Sequence, residues 1–398
     1  MTLKVFGATS LFESAVGTDA FSDERFAASA AIPLVPQPGE RRQLTGSPQS
    51  FKWSQTTGRI GIDFNLSDDS LLYAFYSTGY KPGGFNPPVS EAFQGDIKFD
   101  FDQEEISSFE IGSKNTVLDG TMKLNGSLFF YDYEGLQITR IANNSSINDN
   151  IDAEIWGAEL EFEWYPEALP GVSFDGAYSY LNTEVAGGSE SVDPTNRTAG
   201  LAEWTTVNEW VPGPTAGVNY VVDTQQFTDN VDTLIAVGAV LPLPGTVRAN
   251  GLPAYVNRAG ATALGITSSN GIGIDLGGNS LPNSPESTLK LGMAYSFVSP
   301  VFEGDMILRL DYYWQDDMYA REFNTAGDLI ESWDQFNLSM IFESADGKWG
   351  ARAWVRNLSD DDNITGHYLT SDTSGFYRNY FLTEPRIFGA SVRYNFGG

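Results

Sequence analysis

The chain has 398 residues, a formal net charge of −29 and no cysteine. The lack of cysteine excludes disulfides and Cys-ligated metal sites, and the acidic balance excludes nucleic acid as a partner, because nucleic acid needs a basic surface. The longest apolar run, Leu234–Leu243, is too short for a membrane helix.

Apolar and polar side chains alternate along much of the chain, and this period of two predicts β-strands with two unlike faces. From Trp156 to Trp164, for example, apolar residues alternate with one Gly and three Glu. Eleven segments of this kind are found, and Thr2–Phe12 is a shorter candidate for a twelfth. The predicted strands are 53–65, 70–81, 106–117, 122–140, 153–165, 172–182, 286–297, 305–316, 333–343, 350–358 and 385–396.

The predicted strands have the length and the aromatic placement of membrane-crossing strands. About ten residues cross a bilayer at a tilt, and Trp and Tyr gather near the strand ends, as in the aromatic girdles of outer-membrane barrels. We therefore predict an all-β transmembrane antiparallel β-barrel whose apolar face contacts outer-membrane lipid; a soluble sandwich is the alternative. The last strand ends on Tyr394 and Phe396, which we predict to be the signal for the barrel assembly machinery.

The links between predicted strands alternate between short and long, as the turns of such barrels do. The short links are Leu66–Asp69, Leu118–Thr121, Pro166–Gly171, Val298–Gly304 and Ser344–Trp349. The long links are Pro82–Glu105, Ile141–Asp152, Thr183–Pro285, Asp317–Ser332 and Ser359–Glu384. This alternation predicts that the short turns face the periplasm and the long loops face the cell exterior.

A series of motifs in chain order resembles TonB-dependent outer-membrane receptors. The motifs are Tyr76–Asn86, Phe109–Lys114 with Leu124–Tyr133, Gly157–Glu161, Pro282–Pro285, Val355–Leu358 and Val392–Phe396. The resemblance implies uptake of a scarce nutrient, typically a ferric siderophore, driven by the inner-membrane TonB complex. It also implies a barrel of about twenty-two strands that is closed by an N-terminal plug.

The chain departs from that pattern in its extent. We read 1–52 as a partial strand and an extracellular loop, and 53–398 as the C-terminal portion of the barrel, with about 11–12 strands and a long extracellular loop 183–285. No plug pattern or signal peptide precedes the strands, so contact with the TonB complex needs a plug that is not in this chain. We expect the chain alone to leave two unpaired strand edges rather than close a barrel.

Candidate ligand-binding residues lie in the loops. The 183–285 loop is longer than a loop that only links two strands needs to be, which indicates a function. It contains Arg197, Trp204, Trp210 and Arg248. Aromatic and cationic side chains can stack on and pair with an anionic iron chelate; the alternative is that they form the loop's own core, together with Tyr220, Tyr255 and Arg258. Tyr80 and Lys81, at the outer end of a strand, are further ligand candidates.

We predict no enzymatic activity, no cofactor and no metal site. His367 is the only histidine, and its loop position predicts an exposed residue. The run Asp360–Asp362 lacks the ligand spacing of a calcium loop and predicts a solvated turn. The predicted function is therefore uptake of an iron chelate at the outer membrane; the alternatives are transport of a carbohydrate or cobalamin, and a passive porin or an inert barrel remnant.

Overall fold

The computed structural model describes residues 2–10, 53–86, 100–142, 145–210, 218–240 and 252–396. The strands are β1 (Thr2–Ser10), β2 (Gln55–Ser67), β3 (Ser70–Lys81), β4 (Gly84–Phe85), β5 (Asp100–Phe101), β6 (Glu104–Val117), β7 (Met122–Ala142), β8 (Ser145–Trp164), β9 (Val172–Val185), β10 (Glu190–Ser191), β11 (Trp204–Glu209), β12 (Asn219–Asp223), β13 (Tyr255–Val256), β14 (Ser268–Ser269), β15 (Ile274–Asp275), β16 (Ser287–Val298), β17 (Gly304–Gln315), β18 (Met318–Tyr319), β19 (Leu329–Ile330), β20 (Trp333–Ser344), β21 (Trp349–Arg356), β22 (Ile364–Leu369), β23 (Arg378–Leu382) and β24 (Ile387–Tyr394). The helices are α1 (Thr224–Ala236) and α2 (Arg258–Ala263), with a 3₁₀ turn at Asp372–Ser374.

One twelve-stranded antiparallel sheet dominates the structure, in the order β1-β2-β3-β6-β7-β8-β9-β16-β17-β20-β21-β24. All eleven predicted strands are found, ten of them to within three residues at each end, whereas β8 begins eight residues earlier than predicted. Strand β1 provides the twelfth by pairing with β2 from Thr2↔Asp63 to Ser10↔Gln55. Within the described ranges β1 and β24 are the two edges and do not pair with each other, as expected. The predicted division at residue 52 stays a prediction, because 11–52 lie outside the described residues.

The two faces of the sheet follow the alternation of the sequence. In β8, Leu160 lies opposite Gly126 and Tyr178, whereas Glu161 lies opposite Asn125 and Ala177. The face of Glu161 is polar, and six of its charged or amide side chains surround one shallow hollow: Lys123, Asn125, Glu161, Glu163, Asp175 and Lys290. This is the arrangement that an inner polar face and an outer apolar face require.

A charged substitution tests the assignment of the two faces. Replacing Leu160 with Arg is expected to cost about 2–4 kcal/mol if the residue faces lipid near the bilayer midplane. Glu161→Arg, one position away on the polar face, is the matched control and should cost much less. The measurement is the yield of heat-resistant folded barrel after extraction in mild detergent; equal losses at the two positions would contradict the assignment.

The link between β7 and β8 differs from the sequence expectation. The predicted long loop Ile141–Asp152 is wrong, because the ladder continues as a hairpin as far as Ala142↔Ser145. A bulge opposes Glu134 and Gly135 to the single residue Asp152, between the pairs Tyr133↔Ala153 and Leu136↔Ile151. Gly135 has φ +66°, and a Cβ there would lie 2.7 Å from the carbonyl oxygen of Gln103, so only glycine fits.

The bulge changes which residues of β7 face inward. On the N-terminal side of the bulge, the side chains on the inner face are Phe129, Tyr131 and Tyr133. On its C-terminal side they are Leu136, Ile138 and Arg140, because the one extra residue of the bulge reverses the alternation. The hairpin therefore extends the inner face beyond the rest of the sheet.

The other links agree with the predicted alternation of short and long connections, and the long ones gather at one end of the sheet. None of the helices in the described ranges is both long and apolar enough to cross a membrane.

Candidate functional site

The longest link, residues 186–286 between β9 and β16, folds as a unit that we call the insert. Its two ends meet at a neck, where Gly278 N–H donates to the Val185 carbonyl at 2.9 Å and Val185 N–H donates to the Asn279 carbonyl at 2.8 Å. The central part is a four-stranded sheet in the order β13-β11-β12-β14, which is covered by α1 and α2. The side chains of Asp223 and Asn257 cap these helices by accepting from Gln226 N–H and Gly260 N–H.

A core of its own stabilises the insert. Its fully buried members include Val207, Tyr220, Phe227 and Leu234. The Tyr220 hydroxyl donates to the Val256 carbonyl at 3.1 Å, and burial raises the pKa of this phenol. The alternative that the loop aromatics form the loop's own core is therefore confirmed for Tyr220.

A buried ion-pair network joins the insert to the other long loops. We call it the Asp328 cluster; its members are Asp193, Arg321, Asp328 and Arg378. Arg321 donates to both carboxylate oxygens of Asp328, at 2.7 and 2.9 Å, and to Asp193 at 3.3 Å. Arg378 approaches Asp328 from a third loop at 3.6 Å. Burial alone would raise the pKa of Asp328, which is fully buried, but hydrogen bonds from Arg321 and Thr325 lower it.

A second buried pair fastens the insert to the 3₁₀ turn. Arg197 donates to the Asp372 carboxylate at 3.0 Å and to the Asn270 carbonyl at 2.7 Å. Asp372 also accepts from the backbone N–H of Asn219 at 2.7 Å. Because these groups are nearly buried, they fix the insert against the loop 357–386 rather than point at solvent.

An apolar layer lies where the insert meets the extended hairpin. Ile151 and Ala153 of β8 and Val185 of β9 pack with Leu276, Leu281 and Phe323 from the loops, and Leu136 and Ile138 lie against them. The loops therefore rest on a core that the inner face of the hairpin provides.

These contacts enclose a hollow of about 380 Å³, which we call the loop cavity. It is lined from four directions, by the extended hairpin, the insert, the β17–β20 loop and the β21–β24 loop. The lining includes Leu136, Gln137, Arg140, Leu281, Asn283, Arg321, Glu322, Phe323, His367, Tyr368 and Thr370. A hollow of this size with apolar walls and a few polar groups is typical of small-molecule sites.

His367 and Glu322 are the two buried titratable groups on the cavity wall that lack a hydrogen-bonded side-chain partner in the described part of the chain. His367 is 7% exposed, so the prediction of an exposed loop residue is wrong. Its ring lies edge-on to Tyr380 at 5.5 Å, and neither ring nitrogen makes a hydrogen bond of normal geometry. Burial lowers the pKa of His367 against the opposing charge of Asp328. Burial raises the pKa of Glu322, although Arg321 and Arg140 oppose this.

The lowered pKa of His367 predicts how the loops respond to acid. Because the histidine is harder to protonate in the folded protein, it stabilises the folded loops at pH values above about 6.5, the pKa of histidine in the unfolded chain. This stabilisation is lost as the pH falls through the lower pKa of the folded state. We expect the protection factors of the amides in Ile364–Leu369, which correct for the intrinsic slowing of exchange in acid, to fall between pH 7.5 and 5, and this fall to disappear in His367→Gln.

Glu322 has the opposite sign, because a raised carboxyl pKa makes the folded loops less stable as pH rises. Glu322→Gln is therefore the matched control: it should keep the loss of protection in acid. An identical exchange profile for the wild type and His367→Gln would contradict the role assigned to the histidine.

The structure places the candidate residues from the sequence in different surroundings. Arg197 is buried in its pair with Asp372, while Trp204 and Trp210 are half-buried on the insert and do not line the loop cavity. Tyr80 and Lys81 are neighbours on one strand and so face opposite sides of the sheet, with Lys81 on the inner face. Arg248 lies outside the described residues. Whether any of these residues contacts a ligand stays a prediction.

The predicted assembly residues lie at the short-turn end. Tyr394 packs against Trp349 with ring centroids 4.6 Å apart and against Phe396 at 4.7 Å, and Phe396 is 90% exposed. The signal role of Tyr394 and Phe396 stays a prediction.

Sequence reasoning missed Arg321, Glu322, Asp328 and His367. The sequence gives one weak indication that Arg321 and Glu322 are buried: they lie between Tyr319 and Phe323, two aromatic residues that favour burial. Their contacts depend on loops that are far apart in the chain, such as the pair Arg321–Asp193, whose members are 128 residues apart.

An antiparallel sheet with an apolar outer face and a polar inner face is the architecture of an outer-membrane β-barrel wall. A family model described as TonB dependent receptor-like, beta-barrel, matches residues 35–257. The chain belongs to this family, as the motif series indicates.

Individual relatives agree with this assignment. The chain is 26% identical to the pesticin receptor of Yersinia pestis over 137 residues, which are 34% of this chain and 19% of that protein. It is 26% identical to the metal-pseudopaline receptor CntO of Pseudomonas aeruginosa over 190 residues, 46% of this chain and 25% of the relative. The matches thus span a quarter or less of these relatives.

Solved structures show the same fold. The ferric yersiniabactin uptake receptor FyuA from Yersinia pestis superposes with a TM-score of 0.55 at 15% identity, covering 88% of this chain and 38% of that one. BauA, the ferric preacinetobactin receptor from Acinetobacter baumannii, gives 0.52 at 15% identity with the same coverage. At this identity the likeness extends to the fold alone.

Proposed function

We propose that this chain forms the outer-membrane wall and ligand-binding loops of a receptor that takes up a ferric siderophore, driven by the inner-membrane TonB complex. The role is transport and not catalysis. Its partners are outer-membrane lipid on the apolar face, the barrel assembly machinery, the TonB complex through a plug, and an iron chelate at the loops. The observation that carries the proposal is a preformed cavity at the long-loop end of a barrel wall of this family.

Preformation matters because a receptor for a scarce nutrient has to bind at low concentration. Loops that are ordered before binding do not lose their conformational entropy on binding, and so more of the contact energy appears as affinity. The Asp328 cluster and the Arg197–Asp372 pair supply this order, since they connect three loops through buried charged hydrogen bonds.

The test is uptake of radioactive iron by cells that make the receptor under iron limitation. Cells should accumulate iron from a ferric siderophore, and deletion of the receptor gene or of the TonB complex should abolish accumulation. Uptake that persists without the TonB complex would indicate a passive porin. Uptake of a carbohydrate or cobalamin, with no uptake of iron, would assign the receptor to another nutrient.

A further inference from the structure

Six of the described arginines at the long-loop end form ion pairs with carboxylates: Arg140 with Asp149 at 2.5 Å, Arg197 with Asp372 at 3.0 Å, Arg321 with Asp328 at 2.7 Å, Arg356 with Glu384 at 3.5 Å, Arg378 with Asp328 at 3.6 Å, and Arg386 with Asp360 at 3.1 Å. Arg258, on the insert, donates to Ser268 and Asn270 instead. An incoming anion would have to displace a carboxylate from one of these pairs and leave that carboxylate unpaired, which is costly in a buried site.

The loops also carry a large excess of negative charge. The intervals 183–285, 317–332 and 359–384 together contain eighteen Asp and Glu against five Arg and no Lys. Loops of one sign attract ligands of the opposite sign and repel ligands of the same sign. The paired arginines and the acidic loops therefore favour a ligand that is not anionic.

The groups left for a ligand in the loop cavity are of another kind. His367 presents an imidazole whose two nitrogens lack a hydrogen bond of normal geometry, and burial lowers its pKa. Glu322 is 6% exposed, and it lies on the same wall between Arg321 and Phe323. The rest of the lining near them is mostly apolar or aromatic, including Leu281, Phe323 and Tyr368.

We propose that the loop cavity binds an ammonium or an uncharged N–H group on a short apolar arm of the chelate, and that the receptor selects cationic or neutral ferric complexes over anionic ones. This inference rests on the proposed function and specifies its substrate class. Glu322 would pair with the ammonium, the imidazole of His367 would accept an N–H, and the apolar wall would cover the arm. A carboxylate in the same place would face Glu322, and the two cations that line the cavity, Arg140 and Arg321, are already paired with Asp149 and with Asp193 and Asp328.

Three probes with one metal core test the charge preference. A linear trishydroxamate forms a neutral ferric core, and its terminal amine can be left free, acetylated or succinylated to give a cationic, a neutral or an anionic complex. Binding is measured by quenching of tryptophan fluorescence in the purified receptor. The cationic and neutral complexes should bind at least about tenfold more tightly than the succinylated one, the size of one charge-assisted hydrogen bond. Equal binding of all three, or tighter binding of the succinylated complex, would overturn the inference.

Matched variants locate the preference. Glu322→Gln should remove the advantage of the cationic over the neutral complex while leaving binding of the neutral complex almost unchanged. Asp317→Asn removes the same charge from an exposed residue of the same loop and should leave the advantage intact. If Asp317→Asn removed the advantage as fully as Glu322→Gln does, the preference would arise from the general field of the loops, and the assignment to the cavity would fail.

His367 provides a direct readout from the cavity. In receptor labelled with ¹⁵N-histidine, its imidazole signals are those lost in His367→Gln. Gallium replaces iron in the probes, because it has the same charge and is diamagnetic. The cationic and neutral gallium complexes should shift these signals; signals that none of the probes moves would overturn the inference.

The two proposals fail in different ways. If iron uptake is absent but the metal-free amine still shifts the His367 signals, the cavity assignment stands and the siderophore function fails. If the succinylated complex is taken up as well as the cationic one and shifts the His367 signals equally, the function stands and the charge preference fails.

Discussion

Replacing Asp328 with Ala is expected to release the long loops from one another while the barrel wall stays folded. The change leaves the guanidinium groups of Arg321 and Arg378 without their shared carboxylate in a buried site. Removing one partner of a buried pair costs about 3–5 kcal/mol. We expect rapid proteolysis within 317–332 and 359–384 and loss of ligand binding, measured on intact cells.

Asp317→Ala is the matched control, because Asp317 is an exposed aspartate in the same loop. It should keep both loop protection and ligand binding. If Asp328→Ala left the loops as resistant to protease as Asp317→Ala does, the Asp328 cluster would not be what orders them.

Excising most of the insert is expected to lower ligand uptake without preventing assembly of the barrel, because the excised part lines none of the loop cavity but holds the Asp372 turn through the Asn219 N–H. Residues 199–269 can be replaced by a short Gly-Ser linker, because the flanking segments already touch: Arg197 donates to the Asn270 carbonyl, and Ile272 N–H donates to the Arg197 carbonyl, both at 2.7 Å. The cut ends before Leu276, which packs against Val185 in the layer beneath the loops. Loops tolerate such excision better than strands do, since the ladder of the wall is unchanged.

The measurement is uptake of labelled iron, with heat-resistant migration to confirm the barrel. Phe227→Ala is a useful companion: it should destabilise the core of the insert by about 3–5 kcal/mol without shortening the chain. Undiminished uptake after excision would mean that the excised part neither contacts the ligand nor helps to order the loop cavity. Loss of the barrel would mean that the wall depends on the insert for its stability.

The wall could be predicted from sequence because its signal is local. Each strand that faces lipid on one side and a polar interior on the other must alternate residue by residue, as around Leu160 and Glu161, and no knowledge of distant residues is needed. The sequence does not predict the first part of β8, residues 145–152, because Asn and Asp are frequent there and these residues are typical of turns and loops.

The site could be predicted only in outline. Its location in the long loops follows from loop length, but the roles of the residues depend on contacts that the chain makes only after the loops fold. Arg197 was identified as a ligand candidate because it is cationic, whereas its partner Asp372, 175 residues away, makes it a structural group. The position of His367 in a long loop predicts an exposed residue, and it is buried because Tyr380 from the paired strand β23 covers it.

The neck of the insert has a consequence for the order of folding. The longest link between neighbouring strands of the wall is that between β9 and β16, where Tyr180 pairs with Ser287. Joining strands across about a hundred residues costs about 2 kcal/mol more in chain entropy than closing a ten-residue turn. If the insert folds first, its neck already holds Val185 beside Asn279, and most of this cost is removed before the two strands meet. Variants that destabilise the core of the insert should then slow the pairing of β9 with β16 during folding more than they lower the stability of the folded wall.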